Sequence, residues 1–297
     1  MCPIISSPLS YPTNLASRRA GLRPETPAFR ALLEAALASS SISVYGFYTH
    51  AGNSYASTSF DDASNFLLSE VNAVNTAAGL ALQVIAATPG LSQPREPYVL
   101  SVGATPTAHA ASVELRAQLE PSLHGVLELH AGELFLSCVP SCHILKGMAG
   151  NYPLLDLQQM NTGLITYRDV AQRVLATVIS YYPGRGENGS DEAMCDAGAL
   201  AMSKDTGPRL GYGDVLGKPW RMGRCSQEHG ILTQMSSSEF ELGPVQGESG
   251  LKLGDMVQIV GQHACLILAG YPWYYVVDSG VGEGNVVVDV WVPWKGW

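Results

Sequence analysis

A histidine and a cysteine two positions apart are the residues of this chain best suited to hold a metal ion. They are His263 and Cys265, in the segment GQHACLILAG. If this segment is a strand, both side chains project from one face, because positions i and i+2 do so in extended backbone. Imidazole nitrogen and thiolate suit zinc, and two protein ligands leave positions for water or substrate. Taken alone, the pattern is more typical of a buried cysteine beside a hydrogen-bonded histidine than of a metal site.

The elements that must position this pair belong to a β-rich second half of the chain. From about residue 171 onward, short β-type runs are separated by Gly, Pro and Asp, with no long helical pattern between them. This pattern predicts an antiparallel β domain. The runs cover residues 174–182, 193–202, 253–260, 265–269, 274–277 and 286–292.

The first half has a different pattern, in which helices alternate with short apolar strands. Helical spacing is found at residues 27–39 and 61–87, and strand-like runs at 42–48, 98–102 and 125–129. The alternation predicts parallel βα units, with polar, glycine-rich loops after the strands. Ligands bind at such loops in α/β proteins.

Composition narrows the class of protein. The chain has 297 residues, a formal net charge of -9 and no run of Lys and Arg, which argues against nucleic acid or an anionic membrane surface as the main partner. The cysteine spacing suggests no disulfide framework, and the N-terminus is a poor signal peptide. No apolar run approaches the roughly 18 residues of a membrane span. We therefore expect a cytoplasmic protein.

Motifs along the chain resemble, in the same order, those of the D-serine dehydratase family. The resemblance covers residues 18–131 and 150–297, and D-threonine aldolases share the family's fold. The motifs are RRAGLRPE, YTHAGNSYAS, SVGATPT, LELHAG, GNYPLLDLQQ, CDAGALAMSKDTGP, SQEHGIL, LKLGDMVQIVGQHAC, YPWYYVVDSG and VVVDVWVPWKGW.

The resemblance implies an α/β plus all-β fold. A partial (β/α)8 alanine racemase-type barrel over residues 18–170 would bind pyridoxal 5′-phosphate, and an antiparallel β domain over 171–297 would bind zinc. Residues 1–17 have no match. The family implies a D-amino acid substrate and a homodimer, and elimination from D-serine to give pyruvate and ammonia.

The same resemblance assigns candidate site residues. His263 and Cys265 match the zinc ligands, and Tyr48 and Tyr55, which flank the THAGNS loop, match residues lining the cofactor. Residues that would contact its phosphate or ring are Thr105, Gly150 and Asn151. Without the resemblance, core packing with a hydrogen-bonded hydroxyl would be the more ordinary role for either tyrosine. His229 could line the site or be a hydrogen-bonded structural histidine.

The cofactor lysine of the family has no counterpart here. There is no lysine before Lys146, and arginine cannot replace it because its guanidinium stays protonated. Residues 18–170 also fall short of the roughly 250 residues of a complete barrel. We therefore expect an N-terminally truncated chain with no catalytic residue of its own and little turnover. A related aldolase or dehydratase acting on D-threonine or 3-hydroxyaspartate, or a non-catalytic metal-binding protein, stay open as alternatives.

A second difference from the family pattern is the segment 132–149, which separates LELHA from GNYPLL. It contains Cys138, Cys142 and His143, whose spacing suggests a metal site. Its first residues can be encoded with a splice donor, GTGAGT, and its last with an acceptor, CAG. We therefore expect the segment to be translated intron, inserted where the cofactor phosphate should bind.

Overall fold

The computed structural model of the protein describes residues 4–5, 21–131, 134–136, 154–236, 239–240 and 249–293. The chain divides into two compact units. The first comprises Met1–Gly147 and Thr162–Leu164, and the second comprises Met148–Asn161 and Ile165–Trp297.

The first unit is built on a five-stranded sheet of order β1-β2-β3-β4-β5. Strands β1 to β4 are parallel, and β5 runs antiparallel to β4. The strands are β1 (Ile4–Ile5), β2 (Gly46–Thr49), β3 (Tyr98–Val102), β4 (Gly125–Ala131) and β5 (Leu134–Leu136), and the helices are α1 (Pro27–Ala38), α2 (Phe60–Ala87), α3 (Thr105–Ala110) and α4 (Val113–Leu119). The predicted alternation of helices and parallel strands is confirmed from α1 to β4.

Local sequence explains where the two long helices begin. The Thr26 hydroxyl accepts the Phe29 N–H at 3.3 Å, and the Ser59 hydroxyl accepts the Asp62 N–H at 3.1 Å. Each satisfies a backbone donor that the first helical turn leaves unpaired. Helix α2 then packs a stripe of mostly small apolar residues against β2 and β3, which forms the core of this unit.

The second unit is centred on a closed antiparallel barrel of order β10-β7-β6-β11-β8-β9. Its core includes the fully buried Trp220, Met222, Leu232 and Ile259. The strands are β6 (Val174–Tyr182), β7 (Glu192–Cys195), β8 (Gly213–Val215), β9 (Trp220–Cys225), β10 (Gly230–Gln234), β11 (Met256–Gly261), and the hairpin pair β12 (Tyr274–Val277) and β13 (Val287–Trp291). The helices are short: α5 (Leu157–Asn161), α6 (Ala199–Met202) and α7 (Ala264–Ala269). The predicted antiparallel β domain is confirmed.

One predicted β-type run is wrong, and a second is wrong in part. Residues 265–269 belong to helix α7, and in the run 193–202 only β7 is extended before helix α6 begins. Both helical segments are short and rich in Ala and Leu, which are strong helix formers. A short apolar run has no period that separates strand from helix.

In the part of the chain that the structure describes, no helix combines the length and the apolarity needed to cross a membrane.

Candidate functional site

His263 and Cys265 lie at the turn that leads from β11 into α7. His263 is the capping residue that precedes α7, with φ -139° and ψ 105°, and Cys265 is in its first turn. The expectation that both residues lie in one strand is therefore wrong. The two side chains nevertheless meet, because they form a hydrogen bond with each other. A strand-to-helix turn thus brings imidazole and thiol together.

Asp205 holds the imidazole from the opposite side. Nδ1 of His263 lies 2.5 Å from Oδ2 of Asp205. Burial lowers the pKa of His263, but the hydrogen bonds with Asp205 and Cys265 outweigh it and raise the pKa to about 10. The hydrogen bond with His263 in turn lowers the pKa of Asp205. A carboxylate at Nδ1 is the usual partner of a histidine that binds metal through Nε2.

A second carboxylate fixes the backbone of the turn. Asp156 is fully buried, and its Oδ2 accepts the N–H of Ala264 at 2.8 Å. Burial raises the pKa of Asp156 to about 6, although hydrogen bonds from backbone N–H groups act to lower it. The nearby Gln158 donates from Nε2 to Oδ2 of Asp205 at 3.1 Å. The DLQQ sequence therefore supports both the turn and Asp205.

The chemistry of this pair fits zinc. Nitrogen and sulfur are the donors that zinc prefers, and a site with few protein ligands keeps positions open for substrate. Among the described residues, no group of three or more His, Cys, Asp or Glu side chains is arranged to hold a metal ion. The pair would therefore supply two ligands of an open site.

Asp205 and Asp156 were not identified as site residues from the sequence. Both lie within motifs that carry the family resemblance, CDAGALAMSKDTGP and GNYPLLDLQQ. They contact the turn across 58 and 108 positions of sequence. Sequence spacing could not have revealed such distant contacts. The position of both aspartates within motifs of the family resemblance was the one indication that they could belong to the site.

The candidate cofactor residues of the first unit lie at the ends of neighbouring parallel strands. Tyr48 is half-buried in β2, and Tyr55 is half-buried in the 3-10 turn Gly52–Ala56 that follows. Thr105 is fully buried and is the first residue of α3, just after β3. Gly150 and Asn151 lie outside the described residues, as do Cys138, Cys142 and His143.

Three buried hydroxyls near these strand ends are unsatisfied. Oγ1 of Thr49, Oγ of Ser54 and Oγ1 of Thr105 have no hydrogen-bond partner among the described residues. All three residues are fully buried. Buried hydroxyls of this kind cost about 1–3 kcal/mol each unless paired. A polar ligand with acceptor oxygens, such as a phosphate ester, would satisfy them.

His229 lies between β9 and β10, and its side chain is exposed. Its carbonyl oxygen accepts the N–H of Ser226 at 2.8 Å. Neither a lining role nor a structural role for its imidazole is tested by this geometry, and both stay predictions.

Comparison with known proteins identifies relatives over nearly the whole chain. Residues 171–277 match the family described as "Putative serine dehydratase domain". A D-serine dehydratase of Schizosaccharomyces pombe is 38% identical over 292 residues, which is 96% of this chain and 60% of that protein. The chain therefore spans about 60% of that relative's length.

Solved structures share the fold. D-threo-3-hydroxyaspartate dehydratase from Delftia sp. HT23 matches with a TM-score of 0.64 and 27% identity, over 99% of this chain and 65% of that one. Two further matching structures are of a D-threo-3-hydroxyaspartate dehydratase, one a histidine-to-alanine mutant and the other a cysteine-to-alanine mutant, two positions later, in the metal-free form. An ala racemase-like protein from Idiomarina loihiensis has a TM-score of 0.61 and 24% identity, over 95% of this chain and 63% of that one. The chain therefore has neighbours of the alanine racemase-like fold.

Proposed function

We propose that this chain, a relative of the D-serine dehydratases, carries the zinc site and part of the cofactor site of a pyridoxal phosphate-dependent D-serine ammonia-lyase. The observation that carries the proposal is the His263–Cys265 pair, with Asp205 at Nδ1 of the histidine. Relatives named D-serine dehydratase support the reaction class.

His263 and Cys265 would hold the zinc ion through Nε2 and Sγ. Zinc, when bound, supplies a Lewis acid that makes a hydroxyl a better leaving group. Asp205 keeps the imidazole oriented, and Asp156 keeps the backbone of the turn in place. The metal-free cysteine mutant of a D-threo-3-hydroxyaspartate dehydratase supports a cysteine ligand at this spacing.

Pyridoxal 5′-phosphate would bind at the strand ends of the first unit. The cofactor, when bound, supplies the electron sink for loss of the substrate α-proton. Thr105 would hold its phosphate or ring there, and Tyr48 and Tyr55 would line it; the family resemblance adds Gly150 and Asn151, which lie outside the described residues. Unsatisfied Oγ1 of Thr105 supports a phosphate there. We infer that strands β1 to β4 are part of a (β/α)8 barrel.

Turnover by this chain alone should be low. The chemistry requires a lysine to hold the cofactor and move the α-proton, and no lysine precedes Lys146. The remaining four, Lys204, Lys218, Lys252 and Lys295, lie in the span assigned to the β domain. The substrate would be a small D-amino acid, and the assembly a homodimer as in the family.

A dehydratase acting on D-threo-3-hydroxyaspartate is the second candidate. The structural match to the Delftia enzyme over 99% of this chain favours it. An aldolase of the same fold would give glycine and an aldehyde instead of a keto acid. Product analysis with each D-amino acid therefore separates the candidates.

The direct test is to purify the chain, load it with zinc and pyridoxal phosphate, and supply D-serine. We expect one zinc per chain, bound cofactor without a Schiff-base absorbance near about 420 nm, and little pyruvate. Robust pyruvate production would refute the requirement for the missing lysine. A chain that binds no zinc would overturn the proposed metal site.

A further inference from the structure

A fully buried carboxylate, Glu70, interrupts the apolar stripe of helix α2. The other buried residues of this helix are Ala, Leu, Val and Ile. Glu70 has 0% exposure, and burial raises its pKa to about 7 even though three hydrogen-bonding groups act to lower it. A buried carboxyl group is costly unless hydrogen-bonded partners compensate it. Packing alone gives no reason for a glutamate here.

Glu70 interacts with groups of two different loops. The N–H of Ala51, in the loop after β2, donates to Oε1 at 2.6 Å. The N–H of Gly103, in the loop after β3, and the side chain of Thr107 also act on the carboxyl group and lower its pKa, whereas Oε2 has no hydrogen-bond partner among the described residues. One side chain on α2 thus reaches the backbone at the ends of two parallel strands.

These two loops carry the candidate cofactor residues. Ala51 precedes the 3-10 turn that contains Tyr55, and Gly103 lies two positions before Thr105. Gly103 has φ +126°, a conformation that favours glycine. A further contact joins the loops directly, since Nδ1 of His50 lies 3.1 Å from the carbonyl oxygen of Gly103.

We propose that Glu70 is a positioning residue that fixes the loops after β2 and β3 relative to each other. Tyr55 and Thr105 are thereby held at a set separation before any ligand binds. Such preorganisation increases affinity because the loops lose less freedom on binding. That the ligand is pyridoxal 5′-phosphate rests on the proposed function, whereas the anchoring of the loops does not.

The anchoring is tested by amide hydrogen exchange at Ala51 and Gly103. In Glu70→Ala we expect exchange at both amides to accelerate by about tenfold, because each amide loses the stabilising effect of one buried acceptor. Glu70→Gln should restore most of the protection, because its amide oxygen can accept the Ala51 N–H. Val74→Ala is the matched control, since Val74 is fully buried one turn further along α2 and lies in the apolar core.

Equal exchange at both amides in Glu70→Ala and Val74→Ala would overturn the proposal. If Glu70→Ala does not fold, Glu70→Asp keeps the carboxyl group and removes one methylene. Unchanged protection in that shorter variant would equally overturn it.

The ligand is tested separately by titrating each variant with pyridoxal 5′-phosphate and following cofactor fluorescence. We expect about tenfold weaker binding in Glu70→Ala, with Glu70→Gln and Val74→Ala close to the parent chain. If amide exchange is faster in Glu70→Ala but neither the parent chain nor any variant binds the cofactor, the anchoring is supported and the proposed cofactor site is refuted. Cofactor binding that is identical in the parent chain and Glu70→Ala would refute the positioning role alone.

Discussion

Replacing Glu70 by glutamine should make the first unit more stable at pH 8 and leave it unchanged at pH 4. The pKa of Glu70 is raised from 4.5 to about 7 because burial disfavours the ionised carboxylate. The neutral carboxyl is therefore the form that the folded protein prefers. Its contribution to stability is fully present below pH 4.5 and is lost as the pH rises through about 7.

The magnitude follows from the size of that shift. A rise of roughly 2.5 pKa units, at about 1.36 kcal/mol per unit, makes ionisation of the folded protein cost about 3 kcal/mol above pH 7. Glutamine has no charge to desolvate and still offers an oxygen to the N–H of Ala51. The free energy of unfolding of Glu70→Gln should therefore exceed that of the parent chain by up to about 3 kcal/mol at pH 8.

The two units can be followed separately during urea unfolding. All five tryptophans lie at position 220 or beyond, so their fluorescence reports the second unit. Far-UV ellipticity reports chiefly the 28-residue helix α2 of the first unit. Glu34→Gln is the control, because this substitution makes the same chemical change in α1 at an exposed residue, which pairs with Arg30. A stability difference between Glu70→Gln and the parent chain that is constant from pH 4 to pH 8 would refute the reasoning.

Five further substitutions test the candidate sites. Asp205→Asn should lower the pKa of His263 from about 10 in zinc-free protein, because the hydrogen-bonded carboxylate raises it; NMR titration of the ring measures this. His263→Ala and Cys265→Ser should each abolish bound zinc by elemental analysis, whereas His229→Ala, at an exposed histidine of the same unit, should retain it. Thr105→Val should leave the cofactor-free chain as stable or up to about 1 kcal/mol more stable in urea, because it removes an unsatisfied buried hydroxyl, and should weaken cofactor binding about tenfold. A marked loss of stability in Thr105→Val would instead mean that the hydroxyl has a partner within the chain.

Strong periodicity made the longer elements predictable from sequence. The strands at residues 98–102 and 174–182 have the predicted bounds, and α2 begins one residue earlier than predicted. Strands β8, β9 and β10 were not predicted. They are short and contain Arg221, which pairs with Asp214 at 2.8 Å inside the barrel, so no alternation of apolar and polar residues marks them.

The candidate site was predictable only where its residues are neighbours in sequence. His263 and Cys265 are two positions apart and were found, although the strand invoked to bring them together does not exist. Asp205 and Glu70 act through contacts with residues 58 and 19 positions away. Those contacts depend on the tertiary fold, so a pattern of spacing cannot contain them.

In both units a buried carboxylate holds the backbone beside a candidate site. Glu70 accepts the N–H of Ala51, and Asp156 accepts the N–H of Ala264. Burial raises the pKa of both, to about 7 and about 6, values that in an active site would suggest a general base. Here Oε1 of Glu70 and both oxygens of Asp156 accept backbone N–H groups, so each carboxyl group positions a loop. The raised pKa values of Glu70 and Asp156 therefore identify residues that position the two candidate sites. The chemistry would be carried out by the residues that they position.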